Sequence, residues 1–430
     1  MAKVSQPKAN ASQERRADFS PDQPVARYFD RRPITFWRLL VRLATILAVL
    51  FAADVLAARQ LGHGAFNAHY RVPDELSASW LPGYVHYLDR EWGRSWNDSA
   101  SPDIRVAFIG SSPTWGYRIK AAENTYPYAF ASAAASAGVP VSAANLASNG
   151  QLIGDGYLIA KRIAPQADVV FVQLTYHTFN PAFVPRSPVR FPEIAKLPGL
   201  ALSRSESNLL RVASTKHAGV GAGVGGAIAA RSTLYRERDA LVAKLIGETP
   251  EQRLFDSWDR RFGKASRDKE GDLATEDLFA GAEFAAFDQL EPEQQMIVVS
   301  QYAANSSFKV DPNGAHMKTL RALARLLREQ KVKAVFYMAP MNRDVIDSYM
   351  LIDREQYLAN SKAIGNAVRA AGFPYIDYNA ADALVFPPEY FADIDHTTDA
   401  GGQAVGKRLF KDTSAYLRGE PTSPTAGGSP

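Results

Sequence analysis

The chain has 430 residues, 46% of them hydrophobic and 22% charged, with no cysteine and a formal net charge of +4. This composition excludes a disordered protein, disulfides, thiolate metal sites and a cysteine nucleophile, and it leaves room for a large core. The positive charge gives no argument for a nucleic-acid partner. Residues 1–42 hold nine Lys/Arg against four Asp/Glu, so the rest of the chain is near −1.

In chain order, residues 1–33 read as a flexible basic tail. Ile34 to Ala58 follows, apolar from Leu43 onward apart from Thr45 and Asp54. A bilayer core needs about 20 apolar residues, a length reached here if Arg38 and Arg42 snorkel toward the headgroups. Positive charge before the run and little after it predicts a single-pass signal-anchor helix over residues 34–58 in the inner (cytoplasmic) membrane. The tail then lies in the cytoplasm and the bulk of the chain on the periplasmic or extracellular side. A cleaved signal peptide ending near Val55-Leu56-Ala57, or a core helix of a soluble body, are the alternatives.

Beyond it one body is expected, residues 60–418. Short β-rich apolar runs bounded by turn residues stand at 104–109, 139–146, 169–174, 334–338 and 374–378. Helical patterns lie between and after them, at 126–137, 152–163, 317–330, 355–371 and 400–417. The alternation predicts an α/β fold: a doubly wound, flavodoxin-like parallel sheet of about five strands, covered on both faces. It breaks between about 180 and 312, where helical stretches mix with polar loops such as Asp256 to Asp272, which predicts a helical cap inserted after the third strand. Residues 419–430, rich in Gly, Pro, Ser and Thr, read as a disordered end.

The first strand runs into Gly110-Ser111-Ser112-Pro113, and ligands of open α/β sheets gather at the carboxyl ends of strands. Ser112 is therefore a candidate nucleophile on a tight turn that opens a helix, where amides favour developing negative charge. A serine nucleophile needs a base, and the base needs a carboxylate to fix its tautomer. Asp393-Ile394-Asp395-His396 near the C-terminus offers both from one loop that leads into the last helix, with Thr398 or Asp399 as its cap. Taken separately, Gly-Ser-Ser is a common turn and His396 an ordinary polar loop residue. Gly221-Ala222-Gly223-Val224-Gly225-Gly226 fits a dinucleotide fingerprint, but no strong strand precedes it and no acidic partner follows at the usual distance, so it reads as part of the cap. Arg231, Arg236 and Arg238 beyond it read as a solvated helix face. Trp115 and Tyr117 either line an acyl pocket or pack the nucleophile turn.

Together the two segments resemble the SGNH (GDSL-type) hydrolase superfamily. Gly110-Ser111-Ser112 stands at its Gly-Asp-Ser block, with Ser111 in place of the usual Asp, and Asp393 and His396 match its Asp-x-x-His block. The resemblance implies a triad of Ser112, His396 and Asp393, with Asp395 as an exposed or supporting carboxylate; a shifted pairing of Asp395 with His396 is the alternative. It implies oxyanion donors from the amides of Ser112 and Gly150, the latter in Asn145-Leu146-Ala147-Ser148-Asn149-Gly150. At the third block Thr175-Tyr176-His177 replaces Gly-x-Asn, so His177 either takes over the side-chain donor or shapes the pocket.

Within the superfamily, Ala339-Pro340-Met341-Asn342, Gly372 to Tyr378 and Tyr390 to His396 are similar to the membrane-anchored D-alanyl transfer (DltD-type) proteins. Anchored proteins that acetylate exopolysaccharides share that architecture. Asn342 either touches substrate or caps the helix after it. The resemblance implies an extracytoplasmic serine O-acyltransferase acting through an acyl-serine on hydroxyls of an envelope polysaccharide or glycolipid. A membrane-bound O-acyltransferase and acyl donor would be its partners, and no metal or organic cofactor would be required. A periplasmic carbohydrate esterase and a non-catalytic scaffold of an acylation complex are the alternatives.

Overall fold

A computed structural model describes residues 41–42, 44–53, 103–180, 187–197, 200–212, 282, 284–303 and 307–420. The chain divides into two compact units, residues 1–53 and 54–430. The described part of the first unit, within 41–53, is helical. Among the described residues no helix is long and apolar enough to cross a membrane, and much of the span expected at 34–58 lies outside them. The tail 1–33, the glycine run 221–226, Arg231, Arg236, Arg238 and residues 421–430 also lie outside them.

The second unit is built on five parallel strands in the order β2-β1-β3-β4-β5, the flavodoxin-like order. They are β1 (Ile104–Ile109), β2 (Val141–Asn145), β3 (Val169–Leu174), β4 (Lys333–Met338) and β5 (Tyr375–Asp377). The register sets Ala107 beside Ala144 on one side and Val170 on the other. Side chains alternate between faces as the two-residue period requires. Val106 and Phe108, Val169 and Phe171, and Val335 and Tyr337 enter one core. Ala107 and Ile109, Val170 and Val172, and Phe336 and Met338 enter the other. Burial on both faces explains why the strands read as unbroken apolar runs.

One face is covered by α2 (Tyr126–Ser136) and α9 (Asp399–Leu417), which pack on each other. Phe130 stands edge-on to Phe108 and Phe171 at 5.2 and 4.9 Å, anchoring α2 to the sheet. The other face carries α3 (Ile153–Ile163), α6 (Ala315–Glu329) and α8 (Arg354–Arg369). Helices hand over to strands through Schellman turns. After α2, Gly138 N–H donates to Ala135 O and Val139 N–H to Ala134 O. After α6, Lys331 in the left-handed region and Val332 repeat the pattern on Arg328 and Leu327. This accounts for β2 being shorter than its apolar run, since Val139 closes the preceding helix.

The described part of the insertion after β3 contains no strand. It holds α4 (Arg204–Leu210), α5 (Pro292–Ala303) and short 3-10 turns at Pro192–Lys196 and Phe287–Gln289. Glu206 of α4 accepts from Lys161 and Tyr157 of α3, which fastens the insertion to the sheet domain.

Candidate active site

Because the strands are parallel, their carboxyl ends share one edge, and in this strand order the crevice falls between β1 and β3. Ser112 sits there, as the first residue of the one-turn helix α1 (Ser112–Trp115). Pro113 just inside that helix needs no N–H partner, and Gly116 closes it in the left-handed region at φ 98°.

The turn is tied to three neighbouring strands. Ser111 N–H donates to Gln173 Oε1 at 2.7 Å, and the Ser111 hydroxyl lies 2.7 Å from Thr175 Oγ1. Thr114 Oγ1 lies 2.6 Å from the Tyr337 hydroxyl, and Asn145 Nδ2 donates to Thr114 O. Ser111 thus serves as a latch to β3. Each such buried bond contributes about 1 kcal/mol, and together they leave Ser112 little freedom.

The candidate base, His396, arrives on the loop before α9. Asp393 Oδ1 accepts the N–H groups of Asp395 and His396 at 3.1 and 2.8 Å, an Asx-type turn that fixes the carboxylate. Its Oδ2 then faces His396 Nδ1 at 2.7 Å, and His396 Nε2 faces Ser112 Oγ at 2.8 Å. Ala392 N–H to His396 O, Thr398 N–H to Tyr390 O and a Phe391–Thr397 bridge close the loop on itself. Gly401 is required beneath it, since a Cβ there would lie 2.0 Å from Tyr390 O. Thr398 Oγ1 caps α9 by accepting from Gly401 N–H. Asn342 N–H donates to Ile394 O, so the end of β4 also supports the loop.

Electrostatics favour an imidazolium here. Burial alone would lower the pKa of His396, but the charges of Asp393 and Asp395 outweigh it and raise the value to about 9. Asp393 in turn is held below the carboxylate range, because the attraction and hydrogen bonds of His396 exceed the cost of burial. The ring edge of Tyr117 meets His396 at 4.8 Å, and the Arg118 guanidinium lies over Tyr117. Arg118 itself holds the left-handed conformation, φ 68°. Trp115 is buried and packs the turn, whereas Tyr117 forms a wall of the site.

The other expected residues fall as follows. The loop after β2 starts beside the nucleophile turn, with Ser148 N–H on Gly110 O, and Gly150 adopts φ +71°. The guanidinium of Arg190 fills the place a Gly150 side chain would take, with Nη1 1.6 Å from an added Cβ. Asp155, fully buried, accepts from the N–H groups of Arg190 and Phe191 and so clasps that strap against α3. Asn342 is buried and caps α7 (Arg343–Ser348) by accepting from Val345 N–H, while its Nδ2 has no hydrogen-bond partner. His177 follows β3, with Nδ1 3.5 Å from Asp395 Oδ2. Burial lowers its pKa despite the nearby Asp395 charge. At this separation the approach of His177 to Asp395 is electrostatic, since Asp395 Oδ2 makes no hydrogen bond among the described residues.

Of the two expectations for Asp395, an exposed or a supporting carboxylate, its placement fits the second: it is only 5% exposed and lies 3.3 Å from His396 Nδ1. Nothing in the local sequence signalled this, since Ile394 and Asp395 are adjacent and both buried. Gln173, Thr175 and Tyr337 gave no signal, because strand-end polar residues are legible only once strands are paired. Asp393, Asp395 and His396 are the residues among those described with ligand-type atoms gathered within 4.8 Å of one another. Within that group Asp393 Oδ2 and His396 Nδ1 are engaged with each other at 2.7 Å.

Fold and site together define an α/β protein with a hydrogen-bonded Ser–His–Asp chain at the switch point of its sheet. No protein-family model matches the chain, and no curated protein matches it.

Proposed function

We propose that this protein is a serine-dependent acyl-transfer enzyme of the SGNH type. More particularly, we read it as a membrane-anchored, extracytoplasmic O-acyltransferase that moves an acetyl or D-alanyl group onto hydroxyls of an envelope polysaccharide or glycolipid. The observation that carries the reading is the continuous Ser112–His396–Asp393 chain, 2.8 and 2.7 Å per link, closed between residues 284 positions apart. His396 takes the Ser112 proton as Oγ attacks an ester or thioester carbonyl, and Asp393 holds the imidazolium. The N–H groups of Ser112 and Gly150 receive the oxyanion, each worth on the order of 3 kcal/mol of barrier. His396 then protonates the leaving group, and an acyl-serine remains for an incoming hydroxyl. The basic head and apolar run before the body favour anchorage, which places Ser112 near a membrane-bound acyl donor and an O-acyltransferase partner.

Hydrolysis is the second reading, favoured by the accessibility of the site: the His396 side chain remains 17% exposed, so water can reach an acyl-serine. The test is mass spectrometry of the purified full-length chain after a fluorophosphonate probe, with Ser112→Ala and His396→Ala beside it. Labelling confined to Ser112 and dependent on His396 is expected; absence of labelling would favour a non-catalytic scaffold. Product formation that depends on an added polyol acceptor separates transferase from esterase.

A further inference from the structure

The DIDH loop places two carboxylates against one imidazole, and only one of them has a role in the chain above. Asp393 is saturated by two backbone N–H groups and by His396 Nδ1. Asp395 is the more deeply buried of the pair, yet its Oδ2 has no hydrogen-bond partner. An unsatisfied buried carboxylate costs several kcal/mol, so its retention calls for an electrostatic reason. Its neighbours supply one. Oδ1 lies 3.3 Å from His396 Nδ1 and Oδ2 lies 3.5 Å from His177 Nδ1. His177 in turn meets the ring edge of Tyr302, from α5 of the insertion, at 5.7 Å.

We propose that Asp395 is a positioning residue shared by two histidines: it holds His396 in its charged form and fixes the ring and tautomer of His177, joining the insertion to the base. The proposal rests on the acyl-transfer reading and adds to it a control on when the base is available. Every charged or titratable group facing this pair belongs to the account. Asp393 lies on the same loop, Arg118 extends from the nucleophile turn, and His177 ends β3. The Tyr302 hydroxyl reaches in from α5, toward Met341 Sδ. Tyr126 of α2 accepts from Thr397. Arg118 opposes the imidazolium of His396, while both aspartates favour it. Asp395 and Asp393 also oppose, at His177, the effect of burial.

The consequence is an exchange between base strength and base availability. Asp395→Asn removes one charge within 4 Å of both rings, which lowers the pH at which each loses its proton by about one unit. His396 then becomes neutral at lower pH but is a weaker base. With a Brønsted dependence near one half, labelling of Ser112 in the variant is about threefold faster than wild type at pH 6 and about threefold slower at pH 10. The two pH–rate profiles cross. A purely structural defect lowers the rate at every pH and produces no crossing.

The test uses full-length protein labelled with 15N-histidine, titrated by NMR, together with fluorophosphonate labelling rates from pH 5 to 10.5. Asp395→Asn and Asp393→Asn are compared, and Asp395→Ser is the alternative should the amide variant not fold. The expected result is that replacing Asp395 moves the His396 and His177 titrations down together, whereas Asp393→Asn moves mainly His396. The titrations need no activity, so a failed acyl-transfer reading shows as absent labelling with the histidine shifts intact. Unmoved His396 and His177 titrations in the folded Asp395 variant, or parallel profiles without crossing, would overturn the proposal.

Discussion

Raising the pH of the wild-type protein is expected to quicken Ser112 and weaken the fold together, because both follow one proton on His396. The base accepts the Ser112 proton only as neutral imidazole. With a pKa raised to about 9, His396 is neutral in about one molecule in a hundred at pH 7. The fluorophosphonate labelling rate should therefore climb about tenfold per pH unit from pH 6 and level off above pH 9. Stability runs the other way. An imidazole that ordinarily titrates near 6.5 and titrates near 9 when folded binds its proton more tightly in the folded state. That contribution is present in full below pH 6.5 and is lost as pH rises through 9; it amounts to about 3 kcal/mol. With 17% of the side chain exposed, solvent screening leaves most of it. The assay pairs labelling rates from pH 5 to 10.5 with urea unfolding of the same protein, and with unfolding of His396→Asn, whose stability should lose this slope. A labelling half-point near pH 6.5, with stability flat between 6.5 and 9, would refute the argument that the two aspartates hold an imidazolium.

Two further substitutions probe the rest of the site. Asp393→Asn keeps an oxygen for the N–H groups of Asp395 and His396 but turns an amide toward Nδ1, so labelling should fall by about 10⁴-fold with an unchanged circular dichroism spectrum. Gly150→Ala introduces a side chain at φ +71° and displaces the Arg190 guanidinium. It should lower stability by about 1 kcal/mol and the acylation rate by on the order of 10²-fold, read as a fall in kcat rather than a rise in KM for an aryl ester. Arg190→Ala in the Gly150→Ala background should recover stability only in part, because the strained backbone dihedral remains.

Much of this architecture was legible in local patterns. Ile104–Ile109 and Val169–Leu174 appear as strands over the same residues that their apolar runs span, because strands buried on both faces need unbroken β-rich sequence and turn residues at each end. The parallel, doubly covered sheet followed from the alternation of strands and helices. Ser112, Asp393 and His396 were legible as residue types at strand and loop ends, since the Asp-x-x-His spacing lets one turn hold both carboxylate and imidazole. Tertiary structure alone decided the rest. The link from His396 to Ser112 closes across 284 residues, a proximity no local spacing encodes. The burial of Asp395, its approach to His177 and the latch of Ser111 on Gln173 and Thr175 arise where β1, β3 and the final loop converge. The physical reason is that backbone propensities and hydrophobic periodicity act over a few residues, whereas the charge and proton position of a buried group depend on whatever distant segments are packed around it.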